Sequence, residues 1–565
     1  RDIMPTWYVA DNVSWVHGIH SINAGMMLYR NRINELQNFF TGGALSFSGQ
    51  FTGDGAADFL LGDASSYEQI EALTSRLHQT LPSVYVQDDI KVSRRVTVNV
   101  GLRWDPITGY NSEDSQLATF RPGAQSTLFP LATPGMLYPG DGGLPFNIVG
   151  SRRDNFAPRV GIAWDVFGTG KTSIRAGAGT YFIPLTRGIT FNRFTLIQPF
   201  VVDLTVKAPN AANIWAGAPY NGVDPFPRPM AGNLAGLKQL PFLDYAGESA
   251  LALPFKSETA EEWSFSIQQQ LWRNAILEAD YSGSSGSHLT TSVDSNPAIY
   301  GSGATLANTQ SRLLDPLIGP INTIGDILGS NYNSLQISFL QRFSHGVSVQ
   351  SYYTYSKALG STGSEGEGSN GPRDPFDYGL DYGPLYFDLK DNWVTSMLYQ
   401  PPPFLTSSSP FVRTLANGWG LTGIITVQSG PPLDLQSGVD NSLSDIGSDT
   451  PDQVGSWQIS GGRSKAQQIA EWFNPAAFVP NAIGTFGNVG RDSLRSPGFW
   501  NWDMAALRSF TPREGWRIEF RASFYNIFNH ANLGAPGNTQ NSPSFGEILS
   551  TSTPRNIEFS LRLSF

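Results

Sequence analysis

The residues best equipped for chemistry are few and poorly grouped. Gly168, Thr169, Gly170, Lys171 and Thr172 imitate part of a phosphate-binding loop. The full motif needs a glycine five residues before Gly170, where Asp165 stands, and a helix after the lysine, where the sequence reads as a strand. A hairpin turn is the expected structure. His17 and His20 have a ligand-pair spacing, but residues three apart on a strand point to opposite faces, and Gly18 reads as a turn between them. The acidic group Asp440, Asp445, Asp449 and Asp452 lacks the ligand spacing of a calcium loop and reads as a solvated loop, as does 363–368 with Glu365 and Glu367. Glu261 and Glu262 are adjacent, so on a strand they diverge and make poor acid–base partners. Trp215, Tyr220, Phe226, Phe242 and Tyr245 could stack on a sugar or close over a peptide, with packing inside their own loop as the favoured use. There is no cysteine, which closes disulfide, thiolate-metal and thiol-nucleophile chemistry together. No catalytic residue, metal or cofactor is expected, and the chain does not read as an enzyme.

The elements that carry these residues alternate with period two. Val96, Val98, Val100, Leu102 and Trp104 are apolar, against Arg95, Thr97, Asn99 and Arg103. The same pattern holds for Val160, Ile162, Trp164 and Val166, and for Trp516, Ile518, Phe520, Ala522 and Phe524. Strand side chains point alternately to two faces, so each such segment has one apolar and one polar face. Further segments fall at 22–28, 174–182, 263–271, 335–339, 347–355 and 419–427, which makes the whole chain, 1–565, one architectural unit.

Composition narrows the solvent. Charged residues are 15% of the chain, against about 25% in an average soluble protein. With 59 glycines and 38 prolines, turns are frequent and helix is scarce. No run of about 20 apolar residues exists, which excludes a helical membrane protein. A transmembrane barrel stays allowed, because its strands need only about 10 residues with every second one apolar. The net charge of -10 argues against a nucleic-acid partner.

The connections set the direction of the strands. Tight turns at 91–95, 167–171, 272–275, 343–347 and 510–516 alternate with long connections at 105–158, 184–257, 282–333, 356–390, 429–500 and 529–555. The alternation holds once 400–416 is counted among the short links. Short periplasmic turns and long extracellular loops mark an up-and-down barrel of the outer membrane. The expected fold is therefore all-β: a transmembrane antiparallel up-and-down β-barrel of about 17–22 strands. In the last strand Ile557, Phe559, Leu561, Leu563 and Phe565 form the apolar face, and Glu558, Ser560, Arg562 and Ser564 the polar one. Parity places Phe565 at the periplasmic rim. Trp7, Tyr85, Trp104, Trp164, Trp393, Trp419, Trp516 and Phe565 fall near strand ends, as interfacial girdles do. Asp88 is a misfit in the apolar register of Val84, Val86 and Ile90. Either it lies near the interface, at a cost of about 0–1 kcal/mol, or a bulge turns it inward.

Several stretches resemble the barrel of TonB-dependent receptors, specifically the Oar-like group: ADFLLG at 57–62, VYVQDDIKV at 84–92, VNVGLRW at 98–104, NFAPRVGIAW at 155–164, NWDM at 501–504 and FRASFYNIFNHAN at 520–532. The resemblance implies energised uptake of a nutrient through TonB, ExbB and ExbD, which displace a plug in the barrel. It implies outer-membrane lipid as surroundings and the barrel-assembly machinery as a partner that reads Phe559, Leu561, Leu563 and Phe565. The chain opens on Arg1 without a signal sequence, so a truncated product is expected, lacking the signal peptide, carboxypeptidase-regulatory-like domain and plug of that group. The alternatives are an outer-membrane adhesion or interaction barrel acting through its long loops, and a secreted all-β carbohydrate-active enzyme.

Overall fold

The computed structural model describes residues 2–565, apart from 185–195, 208, 218, 228–233, 362–371, 404–408, 410–411, 413–416, 445, 448 and 460. The segment 363–368 with Glu365 and Glu367, and Asp445 of the acidic group, lie outside the described residues.

The period-two segments form strands. In chain order they are β1 (Thr6–His17), β2 (His20–Gln37), β3 (Leu73–Ile90), β4 (Val96–Trp104), β5 (Phe156–Asp165), β6 (Thr172–Ile183), β7 (Glu258–Trp272), β8 (Ala275–Asp294), β9 (Ile321–Ser344), β10 (Val347–Gly360), β11 (Asp391–Tyr399), β12 (Trp419–Gln428), β13 (Phe499–Arg513), β14 (Trp516–Tyr525) and β15 (Asn556–Ser564). Each pairs antiparallel with its chain neighbours, giving an up-and-down wall. Four short pieces at the rim bring the sheet to nineteen strands. Every odd-to-even connection is the shorter kind and every even-to-odd connection is long, the asymmetry expected from the sequence. Among the described residues β1 pairs only with β2 and β15 only with β14, so the wall has two open edges.

Register fixes the two faces. Val98 lies opposite Ile90 and Ile162, and Val100 opposite Asp88 and Val160, so apolar side chains line up on one side. That side is bare: Val100 is 49% exposed, Phe559 68% and Leu561 73%. Rows of exposed large apolar side chains on paired strands are what a lipid-facing surface requires. No helix among the described residues is long and apolar enough to cross a membrane.

Aromatics collect at both ends of this face. Trp164, Trp419 and Trp516 sit beside the short turns, and Trp104 and Trp393 beside the long loops. Tyr85 differs from the expectation. Strand β3 begins at Leu73, which puts Tyr85 in its interior, opposite Gly25 and Arg103 on the polar face. Its hydroxyl donates to Asn12 Oδ1 at 2.9 Å.

Asp88 keeps the outward register without a bulge, because β2 and β3 pair without a break from His20 to Gln37. His20 Nδ1 lies 2.6 Å from Asp88 Oδ2, two residues from the end of β3 at the short-turn side. The misfit is a rim charge with a partner. The same hairpin contains the turn expected at Gly18, and its length sets the faces of His17 and His20. A two-residue turn places them directly opposite each other, hence on one face, where strand spacing alone sends them apart. His17 stacks on Trp15 with centroids 5.4 Å apart.

The buried hydrophobic core lies among the loops. One cluster joins Leu117, Leu137, Leu144 and Ile148 of the β4–β5 loop to Leu251 and Phe255 of the β6–β7 loop. Another joins Leu433, Leu435, Phe473, Phe478 and Leu494 of the β12–β13 loop to Phe545 of the β14–β15 loop. The long connections thus form a packed layer on one end of the wall.

Candidate functional site

Three loops of this layer, β2–β3, β6–β7 and β8–β9, surround a cavity of about 690 Å3. Its wall is a small sheet in which Ser66–Ile70 pairs antiparallel with Asp203–Lys207 and with Ala44–Ser46. Thr205 stands opposite Glu68 and Asp203 opposite Ile70. Alternation puts Tyr67, Leu204 and Val206 on one face, packed with Val202, Trp215 and Ala246. It puts Glu68, Asp203, Thr205 and Lys207 on the other, toward the cavity.

The remaining lining is polar and aromatic, and much of it is already engaged. Tyr220 donates to the Asp244 carbonyl at 2.9 Å, and Asn210 Nδ2 to Asp63 Oδ1 at 3.0 Å. Gln310 Nε2 donates to the carbonyls of Pro316 and Ile318 at 2.8 and 3.0 Å. The carboxylates of Glu68 and Asp203 differ: among the described residues neither accepts a hydrogen bond or joins an ion pair. Burial pushes the Glu68 carboxyl up, and burial together with the Glu68 charge pushes Asp203 up to about 7. Thr205, Lys207, Asn210 and Asn213 are exposed at the mouth, so solvent reaches the chamber. Such a chamber can hold a solute that brings positive charge or hydrogen-bond donors.

Beneath the loops, the inward face of the wall has a second recess of about 410 Å3. Gly161, Gly177 and Gly179 present no side chain there, and the Arg159 guanidinium lies 4.3 Å over the Tyr181 ring. Glu262 lines this recess, while Glu261, one residue earlier, points to the opposite face.

The other residues singled out by sequence serve local structure. Gly168 and Gly170 take positive φ in the β5–β6 hairpin, and the Gly170 amide donates to Asp165 at 2.9 Å. Asp449 accepts from the Ser442 amide and from Asn481, both at 2.7 Å, and Asp440 accepts from Ser442 Oγ at 2.9 Å. Trp215 packs edge-on against Tyr67 and Tyr220, the internal use expected for that aromatic loop. Tyr220 and Tyr245 also reach the chamber. Among the described residues no cluster of three or more metal-ligating side chains exists. Phe559, Leu561, Leu563 and Phe565 lie on the outward side of the β15 segment, with Phe559 stacked on Phe520 at 6.3 Å and Phe565 tilted against Trp516 at 5.7 Å.

Sequence reasoning missed Glu68 and Asp203. They stand far apart in the chain, on strands too short for a periodicity signal, and only the pairing of two loops brings them together.

The family model of the outer membrane β-barrel domain matches residues 2–558, and the chain belongs to that family. It is a protein of the outer membrane, as the loop asymmetry and the exposed apolar face require. No curated protein sequence matches it. Solved structures with a similar wall include the outer membrane transporter YddB from Escherichia coli, at 12% identity and TM-score 0.49, covering 100% of this chain and 54% of that one. The FrpB iron transporter from Neisseria meningitidis matches at 12% identity and TM-score 0.44, covering 99% and 55%. The siderophore receptor PiuA from Acinetobacter baumannii matches at 9% identity and TM-score 0.46, covering 100% and 56%. The chain spans about half the length of these proteins.

Proposed function

We propose that this chain is the barrel of a TonB-dependent transporter that takes up a small nutrient across the outer membrane. The observation that carries the reading is a polar-lined wall of many strands beneath a cored loop layer that encloses a solvent-reached chamber. A wall this wide is not filled by its own side chains, as an eight-stranded barrel is, and leaves a lumen for a plug and a passing solute. The sequence resemblance to Oar-like receptors, dispersed from 57 to 532, supports the same reading. In this account residues 1–565 form the barrel domain, a plug and further strands of the parent protein complete it, and the two open edges are where added strands pair. TonB, ExbB and ExbD act through that plug, and the barrel-assembly machinery reads Phe559, Leu561, Leu563 and Phe565. The test is accumulation of solutes by cells carrying the full-length parent, with and without TonB. TonB-dependent accumulation is expected. Surface binding without any accumulation would contradict transport and return the adhesion reading.

A further inference from the structure

The loop-layer chamber holds two neighbouring carboxylates with no cation or hydrogen-bond donor upon them among the described residues. Like charges in a half-buried setting oppose each other, and burial takes part of the hydration of each. Elsewhere in the same layer a buried acid is answered in full. Asp141 accepts from Ser126, Thr127, Leu128 and Tyr138, and Asp388 meets the Arg495 guanidinium. In the chamber, among the described residues, Glu68 and Asp203 have no such donors, and the chamber is open at its mouth.

We propose that the chamber binds a small organic cation carrying ammonium groups, seated between Glu68 and Asp203. An ammonium supplies the donors and the charge that both carboxylates lack. The volume of about 690 Å3 is far larger than a bare ion needs and lies in the range of small-molecule sites. Among the described residues no third His, Cys, Asp or Glu side chain joins the two acids. Tyr220 and Tyr245 add aromatic surface to the chamber lining, which favours an organic cation over a hydrated ion. Among the described residues the side chains of Glu68 and Asp203 make no hydrogen bond, and the two residues join the loop sheet through their backbone alone, so a side-chain replacement leaves that pairing in place.

This names the solute class of the proposed transporter and rests on that reading. Binding to the purified chain and uptake by cells separate the two failures. The probe is spermidine, titrated at pH 8 into the full chain in detergent, beside triacetylated spermidine, which keeps the length and loses the charge. Saturable binding of spermidine is expected, about tenfold or more weaker in Asp203→Asn and weakened in Glu68→Gln, because each variant removes one half of the ion pairing. A cation drawn only by the net charge of -10 would bind both variants as it binds the parent chain, and that result overturns the proposal. So does equal binding of the acetylated compound. No binding by a chain whose unheated and boiled forms migrate differently on a gel, and which is therefore folded, overturns it as well. Binding with no TonB-dependent uptake would leave the chamber's chemistry standing and refute the transport reading.

Discussion

The wall and the loop layer are built from one chain and obey opposite rules. In the wall, apolar side chains point out and stay exposed, as in Val100, Leu561 and Phe559, and the hydrogen bonds run along fifteen long strands. In the loop layer, apolar side chains such as Phe129, Tyr138 and Phe473 are buried and the strands are only a few residues long. The wall has lipid for its solvent, so its stability depends on pairing every backbone group in the sheet. The loop layer has water, so it needs its own core and answers its buried acids with donors. One chain therefore meets two solvents, and the boundary falls where strand alternation stops.

The sharpest way to break this contrast is to put the same charge on the two faces of one strand. Val100→Arg places a cation in mid-wall on the lipid side, at a cost of about 2–4 kcal/mol, and should abolish the folded band in outer-membrane fractions. Asn99→Arg, one residue away on the inward face, should leave that band nearly unchanged. Equal loss in both would refute the assignment of faces.

A smaller effect is expected from removing Phe565. If the outward aromatic end of β15 is an assembly signal, deletion lowers the membrane yield without altering the fold of what is inserted. An unchanged yield would leave Phe565 as a girdle residue packed against Trp516.

In the loop layer, Arg495→Ala removes the partner of buried Asp388 and the contact at 3.2 Å to the Gly430 carbonyl. Leaving a charge buried and unpaired opens its surroundings, so protease nicking of the loops should rise by about tenfold or more while the wall keeps its heat-modifiable migration. Loss of the wall as well would mean that the two regions do not fold independently.

The smallest effect is a pH dependence. Burial, with the charge of Glu68 on the paired strand, pushes the Asp203 carboxyl up to about 7, and the other titratable groups lining the chamber are Tyr220, Tyr245 and Lys207. Its folded value lies above that of an unfolded aspartate, so the stability it contributes is lost as pH rises from about 4 through 7. Only the ionised form attracts an ammonium, so spermidine affinity should rise several-fold from pH 6 to pH 8 and stay flat in Asp203→Asn. The same slope in both would place the titration elsewhere.

How far these features could be read from sequence follows the same boundary. Strands β4, β5, β12 and β14 carry a period-two signal because one face is uniformly apolar, and alternating loop lengths give them direction. Phe559, Leu561, Leu563 and Phe565 share that legibility. Glu68 and Asp203 do not, since their proximity comes from pairing between separate loops. His17 and His20 show a further limit: their relation depends on whether the chain turns between them, and a two-residue turn reverses the rule that holds along a strand.

The wall divides a short-turn side in the periplasm from a cored loop layer outside. The chain has no cysteine, so a single one can be introduced at Gly217 beside the chamber or at Thr169 in the β5–β6 turn and probed in intact cells with a membrane-impermeant maleimide. Labelling at 217 in intact cells, and at 169 only after the outer membrane is opened, is the predicted result. Labelling at 169 in intact cells with 217 protected would contradict the account.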